Sequence, residues 1–202
     1  LGELEQNDEF FDKYHADYPD RCIGFSEYGA DANPQYQSSH PEKGDYTESY
    51  QCIYHEHIAK MIADRPWLWA THVWNMFDFG AAHRTEGDRP GINDKGLVTH
   101  DRKIKKDAYY FYRANWNPEP MIYIAGRRNV NRVKPLVDVQ VFSNVEEVIL
   151  IVNDCQCRRM KPDSLKVCLF KEVPLRKGRN EIEVRANDSK KQLIDRCTWI
   201  LQ

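Results

Sequence analysis

Two apolar segments of this sequence each end in side chains that could do chemistry. The segment "CIGFSEYGAD", residues 22–31, leads into Glu27, and "WLWATHVWNMFDF", residues 67–79, leads into Trp74 and Asp78. If both segments are parallel strands, their carboxyl ends meet at one rim, where α/β proteins place their working groups. A carboxylate beside an indole suits sugar chemistry, because the carboxylate can attack an anomeric carbon while the ring packs on the sugar's C–H face. A structural alternative stays open, in which Glu27 pairs with an arginine and Trp74 is a core residue.

The histidines are weaker candidates. His55 and His57 stand two residues apart on a predicted helix, so their side chains face different directions and make a poor metal pair. His72 lies within the second apolar segment and His83 follows it, and we retain His83 as a residue that could contact a sugar hydroxyl. Asp78 is more typical of a structural hydrogen bond. The sequence therefore predicts no metal site and no cofactor.

Three helices are predicted in the first 116 residues from apolar side chains at helical spacing. A proline follows each of the first two helices and would end it, and Asp45 with Glu48 resembles a capping box before the second. The predicted helices cover about residues 4–18, 50–62 and 105–116.

Between these helices lie two segments that read as short buried strands, residues 22–26 and 70–76. The order helix, strand, helix, strand, helix, with nearly continuous apolar strands, is typical of parallel βα units covered on both faces. Two strands cannot make a closed sheet, so we expect the missing strands to lie upstream of residue 1.

From about residue 118 the apolar period changes from helical spacing to two, which indicates strands. Five alternating segments follow one another at short spacing, and Asn153-Asp154 is a fair hairpin-turn pair. This pattern predicts an antiparallel β-sandwich of the immunoglobulin-like kind. The boundary between the two parts is expected at residues 115–120, where two prolines interrupt both patterns. The five segments are "VDVQVF", "EEVILIVND", "LKVCLF", "NEIEVRA" and "LIDRCTWIL".

Composition restricts the classes of function. The chain has 202 residues, 41% of them apolar, and a net charge of -2 without a basic stripe, so we expect no nucleic-acid partner. No apolar run approaches the ~20 residues of a membrane span. Six scattered cysteines are read as small core residues rather than as disulfides or a zinc site, and they do not specify a compartment. The first residues, Leu-Gly-Glu-Leu, suggest a piece of a longer protein.

The order and spacing of three motifs resemble glycoside hydrolase family 2, the family of β-galactosidases, β-glucuronidases and β-mannosidases. These motifs are "SEYGAD", "HVWNMFDF" and "NDKGLVTHDRKIKKDAYYFY", within residues 22–116. The downstream segments resemble the β-sandwich that follows the barrel in many bacterial β-galactosidases. The resemblance implies an α/β plus all-β chain. Residues 1–117 would carry strands seven and eight of a (β/α)8 TIM barrel, and residues 118–202 an immunoglobulin-like β-sandwich.

The resemblance also implies roles for individual residues. Glu27 matches the catalytic nucleophile of the strand-seven "EY" motif, in which Tyr28 is the second residue, and Trp74 matches the strand-eight tryptophan that lines the sugar site. The mechanism would be retaining, with a second carboxyl about 5–5.5 Å from the first. In the family that acid/base residue follows an asparagine upstream of the nucleophile. Asn7 and Glu9 do not form such a pair, so we expect the chain by itself to be nearly inactive.

Asn93 and Lys95, in "GINDKG", resemble the pair by which β-glucuronidases hold a uronic acid carboxylate. An ammonium and an amide donor suit that anion, although a surface turn explains the same residues. Because the sandwich is more typical of galactosidases, the first hypothesis is hydrolysis of terminal β-D-galactosides. The alternative is a β-glucuronidase or β-galacturonidase.

A hypothesis of another class is a non-catalytic carbohydrate-binding or structural module. The sandwich has charged rather than aromatic faces, and its one tryptophan, Trp199, lies in an apolar strand, which favours a structural role. The expected partner of the whole protein is a β-linked glycoside or oligosaccharide, and a homo-oligomer is compatible with the sequence.

Overall fold

The computed structural model describes residues 2–187 and 192–202, with side chains from residue 7 onward except those of residues 156 and 157. No helix in this described part is long and apolar enough to cross a membrane. The helices are α1 (Gly2–Asp17), α2 (Glu48–Ala63) and α3 (Asp107–Trp116). The strands are β1 (Ile23–Tyr28), β2 (Leu68–Val73), β3 (Phe79–Gly80), β4 (Ile92–Asn93), β5 (Ile122–Ile124), β6 (Asn131–Arg132), β7 (Leu136–Ser143), β8 (Val148–Val152), β9 (Gln156–Met160), β10 (Val167–Pro174), β11 (Gly178–Asn187) and β12 (Gln192–Leu201).

All three predicted helices are confirmed, but the predicted capping box of α2 is wrong. The N-cap is Thr47, whose hydroxyl accepts a hydrogen bond from the Tyr50 N–H at 3.1 Å. The Asp45 carboxylate instead accepts from the backbone N–H groups of Glu42 and Thr47, in the turn before the helix. Glu48 is therefore the first helical residue rather than the third.

The two predicted parallel strands pair as expected, with Ile23 opposite Leu68 and Tyr28 opposite Val73. Helices α1, α2 and α3 share one apolar core with this pair, which includes Phe11, Ile58 and Phe111. The prediction that β2 is buried is wrong within the described chain. Its Trp69 side chain is 71% exposed, and β2 pairs with no strand other than β1 among the described residues.

The second half forms two sheets around a separate apolar core, which confirms the predicted sandwich of strands. One sheet has the order β10-β7-β5 and the other β6-β12-β11-β8-β9, with antiparallel neighbours except for the β6–β12 pair. Val139, Phe170, Val184 and Trp199 are fully or almost fully buried between them. The expected turn between β8 and β9 forms at Asn153-Asp154, where both residues have positive φ, 52° and 58°.

The cysteines follow the prediction only in part. Cys52 and Cys168 are buried core residues and Cys197 is partly buried, whereas Cys22 and Cys155 are exposed. All five are free thiols. Cys157 has no described side chain.

A buried ionic cluster joins the two halves. The Arg128 guanidinium, in the connection after β5, donates to Glu48 at the start of α2 and to Asp107 at the start of α3, each at 2.8 Å. Asp107 also accepts from the Tyr123 hydroxyl at 2.7 Å and from the Gly126 N–H at 2.6 Å. Since the carboxylates of Glu48 and Asp107 are 3% and 2% exposed, both depend on these partners in place of water.

Replacing Arg128 with Met is expected to lower the free energy of unfolding by about 3 kcal/mol, because two buried carboxylates lose their cation. Urea denaturation at pH 7 measures this loss. The control is Arg113→Met: the ion pair of Arg113 with Glu119 spans 3.9 Å and Glu119 is exposed, so the change should stay within about 1 kcal/mol. Equal losses for the two variants would contradict the assignment of Arg128 as the link between the halves.

Candidate functional site

A cavity of about 400 Å³ opens where β1 and β2 end. Five of the candidate site residues from the sequence line it: Glu27, Tyr28, Trp74, Asn93 and Lys95. They come from β1, from the chain after β2 and from the loop that begins with β4. The structure thus brings together side chains that are up to 68 positions apart in the sequence, Glu27 and Lys95.

Glu27 is the next-to-last residue of β1 and has an exposed side chain. The pairing of β1 with β2 is irregular between Phe25 and Tyr28, and Glu27 lies in this irregular part of the strand. Among the residues that the structure describes, no hydrogen bond or ion pair engages the Glu27 carboxylate. The structural alternative, an ion pair with an arginine, does not form here. Glu27 is the only carboxylate among the described residues that line the cavity.

Tyr28 borders the cavity, but its side chain is committed to the core. It is 4% exposed, its hydroxyl accepts from the Tyr112 hydroxyl at 3.4 Å, and its ring contacts those of Phe25 and His55. Burial raises the pKa of the Tyr28 hydroxyl. The structure therefore gives Tyr28 the role of a support behind Glu27.

Trp74 follows β2 directly and is held by its backbone. Its N–H donates to the Tyr28 carbonyl at 2.7 Å, and the peptide bond to Asn75 is cis. Its ring is 40% exposed and meets the edge of the Phe79 ring, with centroids 5.8 Å apart. Trp74 is therefore a partly open aromatic wall rather than the core residue of the structural alternative.

Gly29 allows the ends of the two strands to touch. A Cβ at this position would lie 1.8 Å from the Trp74 carbonyl oxygen, so any other residue would push the strand ends apart. On the other side, the Gly29 N–H is a hydrogen-bond partner of the Tyr54 hydroxyl, whose pKa burial raises to about 12. Tyr54 also lines the cavity.

Backbone hydrogen bonds fasten the loop of residues 93–98 to the chain after β2. The Asn75 N–H donates to the Lys95 carbonyl at 3.2 Å, the Leu97 N–H to the Asn75 carbonyl at 2.9 Å, and the Val98 N–H to the Met76 carbonyl at 3.0 Å. This pairing carries Asn93 and Lys95 to the cavity.

Asn93 and Lys95 form a turn and also face the cavity. The side-chain oxygen of Asn93, Oδ1, accepts from the Lys95 backbone N–H at 3.0 Å, which leaves the side-chain nitrogen, Nδ2, as a donor. The Lys95 side chain is half-buried, and no carboxylate of the described residues lies within ion-pair distance of its ammonium. Among the residues that the structure describes, the cavity therefore holds one carboxylate, Glu27, and one cation without an ion-pair partner, Lys95.

A buried lysine lies under this loop. The Lys106 ammonium donates to the Asp78 carboxylate at 2.8 Å and to the Asp94 carbonyl at 2.7 Å, and the side chains of Lys106 and Asp78 are 0% exposed. Arg89 adds ion pairs to the carboxylates of Asp94, at 2.8 Å, and Asp78, at 3.3 Å. Burial lowers the pKa of Lys106 and the two carboxylates oppose this shift. As expected from the sequence, Asp78 has a structural role.

The remaining candidates lie elsewhere. His83 is exposed in the loop after β3 and does not line the cavity. His55 is buried, with Nδ1 2.8 Å from the Tyr112 hydroxyl, and His57 lies 3.3 Å from Asp8. The described residues contain no group of three or more potential metal ligands. Glu9 is exposed on α1 and outside the cavity, in agreement with its rejection as an acid/base.

Sequence reasoning missed several residues of the cavity, namely Asn7, Phe25, Tyr54 and Phe79. Phe25 could have been found, because it lies on β1 only two positions before Glu27. Tyr54 and Asn7 lie on helices that only the tertiary fold brings to the strand ends, so no local pattern marks them.

A scan of the chain against models of known protein families finds no match. Among curated proteins, the chain is 48% identical over 195 residues to a β-glucuronidase of Bacteroides fragilis. The alignment covers 94% of this chain and 28% of that protein. The chain therefore spans less than a third of the length of this relative.

Two solved structures of glycoside hydrolases also align with nearly the whole chain. An FMN-binding β-glucuronidase from Faecalibacterium prausnitzii L2-6 superposes with a TM-score of 0.90 at 42% identity, over 98% of this chain and 30% of that one. A candidate β-galactosidase from Bacteroides fragilis superposes with a TM-score of 0.92 at 33% identity, over 98% of this chain and 31% of that one. The chain is thus similar to a segment of bacterial β-glucuronidases and of a candidate bacterial β-galactosidase.

Replacing Gly29 with Ala is expected to lower the free energy of unfolding by about 2 kcal/mol or more, because the added Cβ would overlap the Trp74 carbonyl and force a backbone shift. Gly80→Ala is the matched control, since a Cβ there meets nothing within 4 Å. Urea denaturation of both variants at pH 7 makes the comparison. A Gly29→Ala protein as stable as Gly80→Ala would show that the strand ends are not held in contact.

Proposed function

We propose that the chain is the carboxyl-terminal part of a retaining β-glycosidase that hydrolyses β-D-glucuronides. In this proposal residues 1–117 complete a TIM barrel and residues 118–202 form an immunoglobulin-like sandwich. The observation that carries the proposal is the composition of the cavity, in which a carboxylate, an indole, an amide and an unpaired ammonium converge from three segments. The 48% identity to a β-glucuronidase supports it.

Glu27 is proposed as the nucleophile. Its carboxylate would attack the anomeric carbon as the bond to the leaving oxygen breaks, and that oxygen would take a proton from a second carboxyl. Water, activated by the same second carboxyl, would then release the sugar from Glu27 with retained configuration. Because Glu27 is the sole described carboxylate of the cavity, the acid/base residue would come from the rest of the enzyme. The freedom of Glu27 from ion pairs supports this role, since a paired carboxylate is a weaker nucleophile.

Trp74 and Lys95 are proposed to orient the sugar. The exposed part of the Trp74 ring can pack on the C–H face of a pyranose. The Lys95 ammonium and the Asn93 amide can bind the carboxylate at C6 of a uronic acid through charge-assisted hydrogen bonds. A uronate would neutralise the one cation of the cavity that has no partner in the described chain. Among the candidate substrates, a uronide therefore uses the polar groups of this cavity most fully.

A β-D-galactosidase is the second candidate. The structural similarity to a candidate β-galactosidase, with a TM-score of 0.92, favours it, as does the resemblance of the sandwich. A neutral galactoside would present a hydroxyl to Lys95 where a uronide presents a carboxylate. The group at C6 of the preferred substrate, a carboxylate or a hydroxyl, thus distinguishes the β-glucuronidase from the β-galactosidase.

For the sandwich we propose a structural role. Its tryptophan, Trp199, is 1% exposed and stacks under the Arg132 guanidinium, so it offers no platform for a sugar. The contacts of Arg128 with Glu48 and Asp107, and of Gln140 with Glu56 at 2.7 Å, bind the sandwich to the helices that carry the cavity.

In the complete enzyme, Glu27→Gln should reduce hydrolysis of an aryl β-glucuronide by at least about 10⁴-fold, because the amide cannot form the glycosyl ester. Steady-state kinetics with a chromogenic glucuronide measures the loss. Glu9→Gln, a change to an exposed carboxylate on α1, should stay within a few-fold of the unmodified enzyme. Activity of Glu27→Gln within a few-fold on every glycoside would remove Glu27 from the mechanism.

Lys95→Ala should lower kcat/KM for the aryl β-glucuronide by about 100-fold or more, since the ammonium that binds the substrate carboxylate is lost. The aryl β-galactoside and β-glucoside, which lack the carboxylate, should change by only a few-fold. Lys103→Ala, at an exposed lysine, is the control. An unchanged preference between uronide and neutral glycosides would refute uronate binding at Lys95 and would favour the galactosidase.

A further inference from the structure

The turn that carries Asn93 and Lys95 is held at both ends by a single residue, Lys106. Its ammonium donates to the Asp94 carbonyl at 2.7 Å, and its backbone N–H donates to the Leu97 carbonyl at 2.9 Å. The Asp94 carbonyl belongs to the peptide unit that joins Asp94 to Lys95. The Lys106 side chain therefore binds the main chain between the two proposed uronate ligands.

Asp78 fixes the Lys106 ammonium from below. Its carboxylate accepts from Lys106 at 2.8 Å, and its backbone N–H donates to the Val98 carbonyl at 2.9 Å. A Cβ on Gly96 would lie 2.1 Å from the Asp78 backbone nitrogen, so the turn rests directly on the Asp78 main chain. The turn, the Asp78 carboxylate and the Lys106 ammonium are therefore in close contact.

The energetics of this arrangement favour a role in positioning. Removing an ammonium and a carboxylate from water costs several kcal/mol for each ion, and well-packed apolar residues often stabilise a fold as well as a buried ion pair does. A directional donor at the Asp94 carbonyl, in contrast, sets where the turn lies. Lys95 needs such support because its own side chain has no ion-pair partner in the described chain.

We infer that Lys106 is a positioning residue for the recognition of the sugar carboxylate. It touches no substrate; it sets the height and orientation of the turn so that the Asn93 amide and the Lys95 ammonium converge on one anion. This inference rests on the proposed uronide specificity of the same cavity. It predicts that Lys106 affects substrates with a carboxylate at C6 and spares those without one.

The test is Lys106→Met in the complete enzyme, because Met is similar in length, apolar and retains the backbone N–H that bonds Leu97. Lys103→Met, whose lysine is 81% exposed, is the matched control. For an aryl β-glucuronide, kcat/KM should fall by about 30-fold or more, mainly through a higher KM, and for the aryl β-glucoside it should change by no more than about threefold. Lys103→Met should leave both substrates unchanged.

Lys106→Met leaves the buried Asp78 carboxylate with Arg89, at 3.3 Å, as its ion-pair partner in the described chain. The double variant Lys106→Met/Asp78→Asn also removes that buried charge and serves if the single variant does not fold. It should show the same selective loss. Equal losses on both substrates, or no loss on the glucuronide, would overturn the inference. Lys95→Ala separates the two proposals. If it leaves glucuronide hydrolysis intact, the proposed function fails, whereas if Lys95→Ala is impaired and Lys106→Met is not, only the inference fails.

Discussion

The structure depends on a short ladder of backbone hydrogen bonds that joins three segments at one point. The Trp74 N–H donates a hydrogen bond to the carbonyl of Tyr28 at the end of β1. The Asn75 N–H donates to the Lys95 carbonyl, and the Asn75 carbonyl accepts from the Leu97 N–H. The ladder can close only because Gly29 lacks a side chain. Since the main chain makes these contacts, the side chains of Glu27, Trp74 and Lys95 are free to face the cavity.

The charged groups below the turn form ion pairs, and those at the cavity do not in the described chain. Below the turn, Lys106 and Arg89 pair with Asp78 and Asp94 and hold the main chain. The charged groups at the cavity itself, Glu27 and Lys95, have no ion pair in the described chain. In the proposed mechanism, Glu27 and Lys95 are therefore available to react with a substrate or to bind it. The buried ions below them offset the free-energy cost of desolvation by pairing with one another.

Much of the fold could be predicted from the sequence, because it follows from local periodicity. The helices, the parallel pair and the alternating strands were all predicted from apolar spacing. The cap of α2 was missed, since Thr47 competes with Asp45 for the same role and only the backbone conformation decides between them. The burial of β2 was overestimated because a strongly apolar segment predicts cover on both faces, whereas among the described residues Trp69 of β2 is 71% exposed.

The site was predictable in part. The ends of the two apolar strands indicated Glu27 and Trp74, and the resemblance to a known family supplied their roles and added Asn93 and Lys95. All four lie on one cavity, whereas His83, chosen for its proximity along the sequence, does not. No pattern in the sequence indicated a role for Lys106. A lysine in a basic stretch reads as a solvated charge, and its burial results from tertiary contacts with Asp78 and Asp94 that no local pattern encodes.

The most direct test of the account is to identify the residue that bonds to the sugar. The complete enzyme would be treated with a 2-fluoro-substituted β-glucuronyl fluoride, which slows breakdown of a glycosyl ester, and its peptides analysed by mass spectrometry. The account predicts one labelled peptide, with the fluoroglucuronyl group on Glu27. A label on another carboxylate, or an enzyme that turns over glucuronides yet carries no label, would contradict it.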